Sequence, residues 1–256
     1  MKARIGQREL AYESYGSGKP LVLVHAFPLD SRMWRETAEA LSTRCRVLTP
    51  DMRGFGGSEL GAGDASIADM ADDVAALLDS LGLVRAAVGG LSMGGYVALA
   101  FATRHGSRLE SLILADTRAV ADSDAARAGR AEALLRVQNE GVAALVERQL
   151  GALLSPAASQ AVRRRVREIG QSQSPAGVAA GIRALRDRPD RRVELAWIVC
   201  PTLVMVGSED AISPRAETAD MASAISGARL IEIPAAGHLS NLENPAAFVA
   251  AIASFI

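Results

Sequence analysis

The stretch VGGLSMGGYVALA, residues 88–100, decides the reading of this chain. RAAVGGLS is an apolar run expected to form a strand that stops at Gly89 and Gly90, and MGGYVALAFATRHG is expected to form a helix. Between them lies Gly90-Leu91-Ser92-Met93-Gly94, a G-x-S-x-G in the strand–turn–helix setting that presents a nucleophilic serine. So tight a turn needs neighbours with almost no side chain; Gly90 and Gly94 meet that need, and Gly95 lets the helix pack closely. Ser92 is then held on strained backbone at the sheet edge, above a helix N-terminus that favours developing negative charge. The same glycines alone would also fit an inert turn, so the remaining chain must supply a base, an acid and oxyanion donors.

Working outward, ELAYESYG alternates apolar and polar residues, as a half-exposed antiparallel strand does, and Gly16, Gly18 and Pro20 form a turn. PLVLVHAF, CRVLTPD, RLESLILAD, PTLVMVGSED and ARLIEIPAAGH contain apolar runs suited to strands buried on both faces. Helices are predicted at SRMWRETAEALST, with Ser31 as N-cap, and at SIADMADDVAALLDSLGL, capped by Ser66 and ended by Gly82. PRAETADMASAI and NPAAFVAAIASFI are predicted helices near the C-terminus. This alternation predicts an α/β fold: a mostly parallel sheet of about eight strands with helices on both faces. Residues 117–196 break the pattern. AARAGRAEALLRVQNEG, VAALVERQLGALLS, AASQAVRRRVREIG and PAGVAAGIRALRD all have helical spacing, punctuated by Pro156, Gly170, Pro175 and Pro189. The expected organisation is a core of 1–116 and 197–256 with a helical cap, 117–196, inserted after a strand end and lying over the ligand-binding edge.

Composition narrows the function. A formal net charge of -1 argues against a general nucleic-acid or membrane-surface binder, and no apolar run is long enough to span a bilayer. MKARIGQREL has no apolar signal core, so a cytoplasmic location is expected. Cys45 and Cys200, far apart and each leading into an apolar run, are expected to be free thiols, and no metal or cofactor is implied.

A serine hydroxyl needs a base, and the chain has three histidines. His238, in IPAAGHLSNLENP after the last predicted strand, shares the sheet edge with Ser92. His105 ends the helix after Ser92, roughly 20 Å along its axis at about 1.5 Å per residue. His25 ends an earlier strand and is expected to support its loop, though it is kept as a candidate substrate contact. The base needs an orienting carboxylate. Asp210, in GSEDAISP after TLVMVG, is the first choice, and Asp116, at the end of LILAD, is the rival; Glu209 would point away. The order Ser, Asp, His suits the arrangement. Two oxyanion donors are expected, the Met93 N–H and the Phe27 N–H in the loop after VLVH.

HAFPLDSRMW, DMRGFGGS, GLSMGG, GSEDAISP and GHLSNLENP, in this order and spacing, resemble the α/β-hydrolase superfamily over the whole chain except the helical insert, which is similar only in placement. The resemblance implies a Ser92–Asp210–His238 triad, an oxyanion hole at Phe27 and Met93, a structural role for Asp51 and Arg53, and a cis Phe27–Pro28 bond. One departure stands out: Ala26 follows His25 where the superfamily places glycine.

The resemblance implies a serine hydrolase that cleaves a small-molecule ester or lactone through an acyl-enzyme. Carbon–carbon bond hydrolases, thioesterases and perhydrolases share the triad, and a ligand receptor or signalling protein of this fold is the non-enzymatic alternative. Serine at the elbow argues against the dehalogenase and epoxide hydrolase relatives, which use aspartate there. Leu134, Leu145 and Leu150 are candidates to shape the pocket. Arg163, Arg164, Arg165, Arg183, Arg186 and Arg188 fit either a solvated helix face or recognition of an acidic substrate, with Arg118 the candidate nearest the cleft. Monomer and homodimer are both left open.

Overall fold

The computed structural model describes residues 1–63 and 65–256. Its strands are β1 (Lys2–Ile5), β2 (Arg8–Tyr15), β3 (Pro20–Val24), β4 (Arg46–Pro50), β5 (Ala86–Leu91), β6 (Leu109–Ala115), β7 (Thr202–Gly207) and β8 (Arg229–Ile233). Its helices are α1 (Arg35–Leu41), α2 (Ile67–Ser80), α3 (Met93–Arg104), α4 (Asp124–Leu153), α5 (Gln160–Gln171), α6 (Pro175–Arg186), α7 (Arg215–Ser223), α8 (Ser240–Glu243) and α9 (Pro245–Ala253).

The strands form one 8-stranded sheet in the order β1-β2-β4-β3-β5-β6-β7-β8. β1–β2 and β2–β4 are antiparallel, and every pair from β4 through β8 is parallel. Strand alternation divides the core. In β3, Val22 and Val24 face the apolar layer under α2 and α3, whereas Leu21 and Leu23 face the layer under α1 and α9. Trp34 and Phe248 seal the latter with ring centroids 5.9 Å apart. The chain leaves β3 toward β4 and returns on the other side at β5, so the switch point that opens a ligand crevice lies beyond the C-terminal ends of β3 and β5. Those ends carry the loop of Phe27 and the turn of Ser92.

Local chemistry explains where the predicted boundaries moved. β5 does not stop at Gly89 and Gly90 but runs through both to Leu91. A Cβ on Gly89 would lie 2.7 Å from Cβ of Ile113, so this glycine admits the neighbouring strand rather than ending its own. Ser31 is not the N-cap of its helix. Asp30 takes that place by accepting the Arg32 N–H at 3.0 Å, while the Ser31 N–H is held by Asp51 at 2.8 Å. Ser66 does cap α2, in a reciprocal capping box with Asp69, and Gly82 follows its end at a φ of 64°.

Between β6 and β7 the described residues hold helices and no strand. Two of the predicted helices are joined in α4, with the junction at Gly141, whose φ of 83° breaks the helical path. Gln173, between α5 and α6, ties this segment to the sheet: its Nε2 donates to Asp30 at 2.7 Å, and its Oε1 accepts the Gly56 N–H at 2.8 Å. No described helix is long and apolar enough to cross a membrane.

Candidate active site

Ser92 sits at the junction of β5 and α3 with φ 55° and ψ -112°, a conformation that L-residues rarely adopt. Its N–H donates to the Ala115 carbonyl at 2.9 Å, and its carbonyl accepts the Thr117 hydroxyl at 2.9 Å. The flanking glycines are required by contact. A Cβ on Gly94 would lie 2.6 Å from the Val24 carbonyl carbon, and one on Gly95 would lie 2.5 Å from Cβ of Thr117. β3, β5 and β6 thus grip the turn from both sides.

Asp210 and His238 meet at the same edge. Nδ1 of His238 lies 2.9 Å from Oδ2 and 3.0 Å from Oδ1 of Asp210, with both side chains buried. Asp210 is fixed in turn, because its Oδ1 accepts the N–H groups of Ile212 at 2.8 Å and Ser213 at 3.0 Å. Glu209 is exposed and points away. Ser92, His238 and Phe27 line one cavity of about 230 Å³, together with Tyr96, Arg118, Arg130, Gln149, Leu153, Leu185 and Ile212. Neither the Phe27 N–H nor the Met93 N–H has a hydrogen-bond acceptor among the described residues.

Asp116, the rival acid, has a different environment. It is fully buried, accepts the Gly207 N–H at 2.7 Å and is bonded by the Ser240 hydroxyl, which lies two residues beyond His238. Burial, and then the charge of nearby Asp210, push its carboxyl well above the usual carboxylate range. Asp116 therefore braces the loops of Asp210 and His238, through Gly207, Ser213 and Ser240, without touching the imidazole.

The structure does not bring His25 to the cavity, so the candidate substrate contact is corrected to a structural one. The ring is fully buried; its Nε2 accepts the Met52 N–H at 2.9 Å, and its Nδ1 faces the Ala26 carbonyl at 3.0 Å. Burial holds its pKa below the ordinary value. His105 lies at the end of α3 and pairs with Asp72 at 2.7 Å. Asp51 binds the N–H groups of Ser31 and Gly57, and Arg53 pairs with Asp73, so both hold loops. The Phe27–Pro28 bond is cis, and both cysteines are free. Among the described residues no cluster suited to a metal ion is found.

The helical segment contributes its own contacts. Leu145 and Leu150 are packed in the core and do not line the Ser92 cavity; Arg130, Gln149, Leu153 and Leu185 do. Arg164 is exposed, Arg165 pairs with Glu36 and Arg186 with Asp187 on the surface, and Arg163 binds the Ser155 carbonyl; of the six arginines only Arg188 is buried, against Asp122. The end of α4 is stitched to the histidine loop. The Leu239 N–H donates to the Leu153 carbonyl at 3.1 Å, while Glu243 accepts both the Ser155 N–H at 3.0 Å and the Gly237 N–H at 2.9 Å. Tyr96 was missed by the sequence reading, although it stands one helical turn after Ser92 and so shares its face.

The family model for the alpha/beta hydrolase fold matches residues 19–245. The chain is an α/β hydrolase. This α/β hydrolase is similar to a thermophilic esterase from Thermogutta terrifontis, solved with malate bound, at 41% identity and a TM-score of 0.95 over 99% of this chain and 96% of that one. It is similar to the enol-lactonase from Burkholderia xenovorans LB400 at 32% identity and a TM-score of 0.93, covering 100% and 99% of the two chains. It is also 30% identical to 3-oxoadipate enol-lactonase 1 of Acinetobacter baylyi over 240 residues, 92% of this chain and 88% of the relative. The α/β hydrolase thus belongs to a family of hydrolytic enzymes whose members include esterases and enol-lactonases.

Proposed function

We propose that this protein hydrolyses an ester or lactone of a small molecule through an acyl-enzyme, with Ser92 as nucleophile, His238 as general base and Asp210 as the acid that orients the base. The observation that carries the reading is the buried Asp210–His238 pair, 2.9 Å apart, on the edge of a cavity that also exposes Ser92. With Nδ1 engaged by Asp210, Nε2 is left to take the Ser92 proton as the hydroxyl oxygen attacks the carbonyl carbon. The oxyanion that forms is received by the N–H groups of Phe27 and Met93, and the onset of α3 adds favourable potential. His238 then protonates the departing alkoxide and next accepts a proton from the water that releases the acid. In a lactone the alcohol stays tethered to the acid. The esterase and enol-lactonase relatives support both substrate forms. Residues 117–196 act as a cap, since Arg130, Gln149, Leu153 and Leu185 supply one wall of the cavity.

The test is turnover of short p-nitrophenyl esters and labelling by a fluorophosphonate, wild type beside Ser92→Ala. Turnover and labelling that vanish with the serine are expected. A wild-type protein as inert as the variant, and unlabelled, would remove the proposal.

A further inference from the structure

We infer that the substrate of this site carries a carboxylate besides its ester or lactone group, and that Arg118 and Arg130 bind it. The inference rests on the hydrolase reading and adds the substrate class. The loop after β6 and the first half of α4 bring these two guanidinium groups to the cavity of Ser92, and among the described residues no aspartate or glutamate lines it.

The nearby acids are already committed. Asp122, with a fully buried side chain, accepts from Nε of Arg130 at 3.1 Å through Oδ2 and forms an ion pair with Nη1 of Arg188 at 2.6 Å through Oδ1, which makes no hydrogen bond among the described residues. Arg188 is itself buried and stacks 4.2 Å over the ring of Tyr96, another wall of the cavity. Arg118 meets the Tyr96 side chain and, at 3.5 Å, Glu217, which faces a neighbouring cleft and is 42% exposed. The Nε atoms of Arg118 and Arg188 are buried and have no hydrogen-bond partner among the described residues.

Three guanidinium groups therefore face two carboxylates, one of them partly in solvent. A buried donor without an acceptor and a cation without a full counter-charge are both costly. An excess of one positive charge suits a singly charged anion, and the planar guanidinium fork matches a carboxylate. The remaining wall, including Phe27, Leu153, Leu185 and Ile212, suits a hydrocarbon spacer. A cavity of about 230 Å³ is smaller than most drug-sized sites, so that spacer is short.

The experiment compares kcat/KM for monomethyl glutarate with that for its neutral primary amide, which has the same length and shape. Wild type should prefer the acid by about tenfold or more, the worth of one charge-assisted bond. In the Arg118→Gln/Arg130→Gln double variant the ratio should fall toward one; both substrates are measured on one preparation, so lost folded protein cancels. Wild-type calorimetry with glutarate and glutaramide checks the same preference without any variant, and glutarate should bind more tightly. Hydrolysis of both esters with equal efficiency, glutarate binding no tighter than glutaramide, or a preference that survives the double variant would overturn the inference while leaving the hydrolase reading intact. No hydrolysis of any ester, with Ser92 unlabelled by fluorophosphonate, would overturn both.

Discussion

Replacing Asp210 by asparagine should abolish most turnover without disturbing the fold, and the hydrogen bonds say why. Oδ1 of Asp210 accepts two N–H groups, from Ile212 and Ser213. An asparagine in the same rotamer keeps its amide oxygen there, because its NH2 cannot accept those bonds. The NH2 then occupies the Oδ2 position, 2.9 Å from Nδ1 of His238. A donor at that place opposes the Nδ1–H tautomer, which keeps only the already doubly engaged Oδ1 at 3.0 Å, and so favours the ring proton on Nε2, the atom proposed to take the Ser92 proton. The wrong tautomer in the chymotrypsin-type triad costs about 10⁴ in kcat, which corresponds to about 5.4 kcal/mol on the barrier at about 1.36 kcal/mol per tenfold. Asp116→Asn keeps an acceptor for the Gly207 N–H, gains a donor toward Ser240 and leaves the imidazole alone, so its kcat should fall less than about tenfold. The assay is steady-state hydrolysis of a p-nitrophenyl ester by both variants, with circular dichroism to confirm the fold. An Asp210→Asn protein retaining a tenth of wild-type kcat, or an Asp116→Asn protein losing more than its counterpart, would refute the assignment.

Gly94→Ala sets a methyl against the Val24 carbonyl in backbone that cannot yield; a loss of about 1–3 kcal/mol is expected by urea unfolding, and a change within about 0.5 kcal/mol would contradict the contact. Burial keeps His25 below its ordinary 6.5 and neutral in the fold, so the unfolded chain takes up the proton first and His25's contribution is present above pH 6.5 and lost as pH falls below it. Wild type minus His25→Gln stability should therefore decline with a slope of up to about 1.4 kcal/mol per pH unit below that point, measured by urea titrations from pH 5 to 8. Asp116 acts in the opposite sense: its raised pKa makes the fold retain a proton that the unfolded chain releases above 3.8, so stability falls as pH rises from there, and Asp116→Asn should gain on wild type as the pH is raised above 3.8 in urea titrations. Gln173→Leu breaks the bonds to Asp30 and Gly56 and should cost about 1–3 kcal/mol in urea unfolding.

Much of the fold was legible because its signals are local. Runs such as PLVLV and TLVMVG mark strands buried on both faces, and the Gly90–Gly94 spacing marks a turn that tolerates little else. The sequence order of Ser92, Asp210 and His238, each after a predicted strand, was enough to bring them to one edge, since parallel strands align their C-terminal ends. Asp116 has the same local signature as Asp210, and only tertiary contact with His238 separates them. The Ser31 boundary failed because Asp51, twenty residues on, competes for the serine's own N–H. The cavity wall was the least legible part. Arg130, Gln149 and Leu185 lie on helices whose spacing reveals an apolar face but not which sheet end that face covers, and Leu145 and Leu150, equally apolar, turned into the core.

The two hydrogen bonds between the end of α4 and the segment that carries His238, Leu239 N–H to the Leu153 carbonyl and Ser155 N–H to Glu243, constrain how this α/β hydrolase can be rebuilt. Transplanting residues 117–196 from another α/β hydrolase looks like a clean exchange of selectivity modules, yet the donor sequence would also have to offer a carbonyl at 153 and an amide at 155 in register with Leu239 and Glu243. A graft that misses this register would move His238 along with the pocket. Chimeras that retain residues 153–155 from the recipient should therefore keep their turnover more often than those cut at the sheet, and a lineage drifting toward new substrates would be expected to vary the outer turns of α4 before its last one.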